Sequence, residues 1–162
     1  MRTAVLGLLT LLTAGVVAAR PLGLEVESGT KVFVVTEDLS DYAKEIGLTK
    51  ELITNKVELQ LRRNRIPVVT QKESDASSVY LYVNVNVMRR AFSYAVEFNR
   101  KVFYRVDGTL YSLKATTYTR GGVGTHGGDR NYLLQNVIDK VDQFSNDYLR
   151  SNPNLNPSNK TD

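Results

Sequence analysis

The chain has 162 residues, 42% hydrophobic and 23% charged, with a net charge of +4, one histidine and no cysteine. The missing cysteine excludes disulfides, thiol nucleophiles and a lipoprotein anchor, and with a single histidine it removes structural zinc sites as well. The modest positive charge favours anionic surfaces without demanding them, and nucleic acid is not expected as a partner.

Arg2, the apolar run at 4–15 and the small residues Val17, Ala18 and Ala19 form the pattern of an export signal cleaved near Ala19. That run is shorter than the roughly 18 apolar residues a membrane helix needs, and no later stretch approaches it. Residues 1–19 are therefore read as signal peptide, 20–30 as a leader outside the core, 31–150 as a single domain and 151–162 as a disordered tail. The mature chain is expected to be periplasmic or extracellular, without a transmembrane segment.

Residues 31–36 (KVFVVT) are β-branched and aromatic, and predict a first strand. Asp38 or Ser40 can cap a short helical piece ending at Gly47, and Thr49 restarts a helix in which Leu52, Ile53, Val57 and Leu61 recur at helical spacing. Pro67 closes it, because the residue before proline is pushed out of the helical region. Residues 66–70 (IPVVT) read as a further strand, followed by a polar loop at 71–77.

The clearest pattern follows. Val79, Leu81, Val83, Val85 and Val87 alternate with Tyr80, Tyr82, Asn84, Asn86 and Met88, a period of two that only a strand can place on one face. A second long strand after residues 89–92 puts Tyr94, Val96 and Phe98 opposite Ala95, Glu97 and Asn99. Asp107 and Gly108 supply the positive φ of a tight hairpin, and residues 110–119 return. A glycine-rich loop at 121–128 then leads to Asp129, which can cap a last helix striped by Leu134, Val137, Ile138, Val141, Phe144 and Tyr148. Strands in meander between helices predict an α+β two-layer sandwich: a largely antiparallel sheet of four or five strands with two main helices on one face.

This order, with the strand at 31–36, the helix ending in LRRNRIPVV, the paired strands at 79–106 and the closing helix, resembles small bacterial envelope domains. These are the domains at the N-terminus of TolB and in activators of cell-wall synthases. The resemblance implies an exported, non-enzymatic binding or structural protein of the envelope. A helix-grip protein enclosing a small apolar ligand is the alternative.

The residues offer little chemistry. Gly122, Gly124 and Gly127 match a phosphate-cradling spacing, but no parallel strand follows the last helix and Asp129 would repel an anion from its N-terminus. His126 reads as an exposed loop histidine, and Glu97 as a charge on the wet side of the sheet, near Asn99, Lys101 and Lys114. No catalytic residue, metal site or cofactor is expected. With the aliphatic ladder turned inward, Tyr80, Tyr82, Asn84, Asn86, Glu97, Lys114 and Tyr118 should lie outward as a face for a protein or an anionic envelope polymer. The plainer reading is a solvated sheet surface. Oligomeric state is open, and the arginine clusters read as solvated ends of elements.

Overall fold

The computed structural model describes residues 23–75 and 78–155, so the signal-peptide reading at 1–19 lies outside the described residues. Strand β1 (Val32–Thr36) is followed by helices α1 (Asp41–Glu45) and α2 (Lys50–Arg63). Strands β2 (Val79–Val87), β3 (Ala91–Val106) and β4 (Thr109–Thr125) come next, and α3 (Arg130–Ser151) closes the domain. The sheet is open and mixed, in the order β1-β2-β3-β4; β1 runs parallel to β2 and the other pairs are antiparallel. This is the α+β sandwich that the sequence predicts. No helix among the described residues is long and apolar enough to cross a membrane.

Alternation decides the layers. Val79, Leu81, Val83, Val85 and Val87 are all buried beneath the helices, joined by Val32 and Val34 from β1 and by Val96 and Phe98 from β3. From above, α2 contributes Ile53, Val57 and Leu61, while α3 contributes Val137, Val141, Phe144 and Tyr148. A one-residue slip of β2 would turn every valine into water, so burial sets the register. Side-chain caps start each helix: Ser40 Oγ accepts from the Ala43 amide, Thr49 Oγ1 from Leu52, and Asp129 Oδ1 from Asn131 and Tyr132.

Four stretches depart from the sequence reading. The described part of the leader, 23–30, is not outside the core: Leu24 is fully buried, and its carbonyl accepts from Asn152 Nδ2 at 2.7 Å. The supposed tail is ordered at its start. Ser151 completes α3, Asn152 is buried and 153–155 form a 3₁₀ turn, while 156–162 lie outside the described residues. Residues 66–70 make no strand but one parallel bridge, Val68 to Val32, because Pro67 has no amide to donate.

The fourth is the glycine-rich segment, which is a strand to Thr125. Gly122 lies opposite Tyr94 and Gly124 opposite Phe92, and both aromatic rings fold across the neighbouring strand. A Cβ on Gly122 would sit 2.8 Å from the Tyr94 hydroxyl, and one on Gly124 2.8 Å from the Phe92 ring. Gly121 is tighter still, at 2.4 Å from the Tyr94 carbonyl oxygen, which is backbone and cannot rotate away. Gly121→Val should therefore cost about 1–3 kcal/mol as an overpacked contact, and hydrogen exchange should quicken along 119–125. A variant as stable as the parent would show that this stretch is a loop after all.

Candidate functional site

No helix covers the second face of the sheet. Register places Phe33, Tyr80, Asn99 and Thr116 in one row across it, and Val35, Tyr82, Glu97 and Thr119 in the next. Asn84 and Asn86 continue beside Ala95 and Ser93. Of the residues the sequence assigns to this face, Tyr80, Tyr82, Asn84, Asn86, Glu97 and Lys114 are brought together here.

Tyr118 is not among them. Phe98 pairs with Tyr118 but the next residue, Asn99, pairs with Thr116, so Thr117 is the extra residue of a β-bulge. The bulge reverses the alternation on β4 and turns Tyr118 under α3. There its ring meets Phe144 at 5.7 Å, and its hydroxyl donates to Asp147 at 2.8 Å while accepting from Arg120 Nε at 3.0 Å. Arg150 holds the other carboxylate oxygen of Asp147 at 2.5 Å, so Tyr118 belongs to a clamp between β4 and α3.

Glu37 is the residue that sequence reasoning missed. It follows β1, where its amide donates to Val83 O at 2.9 Å and so extends the parallel pairing by one position. Alternation then drops its carboxylate onto the open face, where Oε2 accepts from the Tyr82 hydroxyl and from Asn84 Nδ2 at 2.9 Å. Asn86 Nδ2 in turn donates to Asn84 Oδ1 at 2.6 Å. The result is a hydrogen-bonded chain, Glu37 to Tyr82 and to Asn84 to Asn86, that fixes polar groups in one orientation before anything binds.

The centre of this face is anionic. Its bond to the Glu37 carboxylate pushes the Tyr82 phenol up to about 12, with desolvation and the charges of Glu37 and Glu97 acting in the same direction. Tyr80 sits between two neighbours, its ring 5.4 Å from Phe33 and 5.6 Å beneath the Lys114 ammonium. Asn99 is buried in its row, held by the Thr116 hydroxyl at 2.8 Å. At the Asn86 end lies an apolar groove of about 560 Å³, lined among others by Met88, Phe92 and Val123. Met88 is 68% and Val123 85% exposed there, so the polar chain ends beside an apolar contact.

The remaining candidates are structural. His126 is half-buried rather than free: its Nδ1 accepts from the Gly128 amide at 3.1 Å, which leaves Nε2 to donate to Met88 O at 2.7 Å. Its ring lies between Tyr42 and Phe92 at 5.9 and 6.0 Å. Asp129 already occupies the first amides of α3, which removes the anion cradle. Among the described residues no cluster of three or more histidines, aspartates or glutamates is placed to hold a metal.

No family model matches the chain, and no curated protein matches it. Among solved structures, a minor lipoprotein from Acinetobacter baumannii is 14% identical, with 77% of this chain and 92% of that one covered, at a TM-score of 0.35.

The tyrosines make the fold sensitive to alkali. Tyr82 through its bond to Glu37, Tyr118 through burial and Asp147, and Tyr148 through burial are each held up to about 12 from an ordinary 10.0. A phenol whose folded value is raised stabilises the fold fully below its unfolded value, and that contribution is lost as pH climbs through the folded one. Denaturant midpoints should fall between pH 10 and 12 as these three tyrosines ionise. A single tyrosinate transition near pH 10 without loss of stability would contradict the assignment.

Proposed function

We propose that this is an exported, non-enzymatic protein of a bacterial cell envelope that holds a protein partner on the open face of its sheet. Export rests on the signal pattern at 1–19. Binding rests on one observation: the Glu37, Tyr82, Asn84 and Asn86 chain is ordered by its own hydrogen bonds on a face that no helix covers. Amide and phenol groups held in place pay little ordering entropy on association, and tyrosine adds rigid contact area. Glu37 and Glu97 at the centre disfavour a polyanion and favour a protein surface offering amide or cationic donors.

The helix-grip alternative has less support. The layer between α3 and the sheet is filled by Phe98, Phe144 and Tyr148, whose ring centroids lie 5.6 to 5.9 Å apart. Tyr82→Ala tests the proposal. Removing a half-exposed ring should cost only about 1 kcal/mol of stability, yet it should abolish cross-linking of the partner recovered from intact envelopes by the parent protein. Undiminished recovery of the same partner by the folded variant would contradict the proposal.

A further inference from the structure

A different surface, which shares only Lys114 with the open face, lies where β3 and β4 outrun the rest of the sheet. Pairing with β2 ends at Asn99, so residues 101–106 and 109–114 pair only with each other. They form a free two-stranded ribbon. On its helix side Val102, Tyr104, Val106, Tyr111 and Leu113 make an apolar stripe, with Tyr104 and Tyr111 stacked at 5.5 Å. On the reverse side Phe103 is 62% and Leu110 56% exposed among Lys101, Arg105 and Lys114. An unsupported two-stranded ribbon is marginal in water, and large apolar side chains along a projection mark a surface that something covers.

Charge and size decide what covers it. Lys101 and Lys114 stand directly opposite in register, a like-charge pair that destabilises an antiparallel ladder. Their ammonium groups rest over the rings of Phe103 and Tyr80, and among the described residues neither lysine nor Arg105 makes an ion pair. Asp107 in the turn is the sole carboxylate between 100 and 115. A second copy would bring the same cations with it. The footprint is also small: roughly 20 Å by 10 Å, from about 3.4 Å per residue and about 4.8 Å per strand, against about 800 Å² per partner in a standard protein interface. A lipid surface has no such requirement, because it takes apolar side chains into the acyl boundary while its headgroups meet the cations.

We propose that the β3–β4 ribbon docks onto an anionic phospholipid bilayer, lying in the interface with its apolar stripe turned to the acyl chains. Lys101, Arg105 and Lys114 stand on the reverse side of a ribbon only two strands wide, and on docking the two ammonium groups would leave the rings of Phe103 and Tyr80 to reach the headgroups, as long cationic side chains do at membrane surfaces. Tyr104 and Tyr111 sit at the depth that amphipathic rings prefer. The ribbon does not span, since a crossing strand needs about 9–11 residues.

Flotation of the full chain with vesicles tests this, using phosphatidylcholine alone and phosphatidylcholine mixed with phosphatidylglycerol. The protein should bind the anionic vesicles about 100-fold more tightly, the preference of a few basic groups near a charged surface. K101E/R105E should abolish that preference, and V106S/L113S, both on the stripe, should abolish binding to both vesicles without moving the melting temperature. R62E/R63E, on the exposed end of α2, should bind as the parent does. Equal affinity for neutral and anionic vesicles, or binding untouched by the ribbon variants, would overturn the proposal. So would a parent that ignores vesicles but dimerises through Leu113, since a second copy would then cover the stripe; none of these variants alters Glu37, Tyr82, Asn84, Asn86 or Lys114.

Discussion

Phe144→Ala is expected to lower the unfolding free energy by about 3–5 kcal/mol, the range for deleting a buried aromatic side chain whose surroundings cannot collapse. Phe144 is fully buried, and three rings converge on it, Phe98 at 5.6 Å, Tyr118 at 5.7 Å and Tyr148 at 5.6 Å. Each is anchored elsewhere: Phe98 on β3, Tyr118 by Asp147, and Tyr148 on the next turn of α3. None can move into the space without giving up another contact, so the cavity persists. Urea unfolding with an unchanged slope is the measurement. A loss below about 1 kcal/mol would mean that α3 does not press on the sheet as described.

Leu24→Ala should cost about 2–5 kcal/mol, although the residue lies in a segment without any periodic pattern. The side chain is fully buried. The backbone around it is tied down at both ends of a long loop in sequence: Leu24 O accepts from Asn152 Nδ2 at 2.7 Å, and the Val26 amide donates to Asn152 Oδ1 at 2.9 Å. Thr117 Oγ1, at the bulge of β4, donates to Gly23 O at 2.6 Å. The segment therefore closes the end of the core beneath the last turn of α3. A neutral Leu24→Ala would place it back outside the core, where its composition alone had put it.

What the sequence makes legible is what is locally periodic. The valine ladder of β2, the stripe of α3 and the positive φ of the Asp107 and Gly108 turn each follow from a few neighbouring residues, and the structure carries all three. What it hides is set by contacts distant in the chain. Glycines at 121, 122 and 124 read as a loop because the strand signal is side-chain bulk, yet here the bulk comes from Phe92 and Tyr94 on the next strand. Tyr118 changes face because of one extra residue, Thr117, that no local alternation betrays. Glu37 joins the open face because β1 continues its pairing beyond its last apolar residue. The ribbon is concealed for the same reason, since nothing between 100 and 115 records where β2 stops.

The central claim is that the two sides of the sheet differ in kind, one filled by the protein's own helices and the other prepared for a partner. Covalent footprinting of carboxylates and tyrosines, in the purified protein and in intact envelopes, tests it most directly. Glu37, Tyr80, Tyr82 and Glu97 should react in the isolated protein and become protected in the envelope, while Glu51 and Asp139 on the outer helix surfaces react equally in both. Equal reactivity of the sheet residues in both settings, or protection confined to the helix surfaces, would contradict the account.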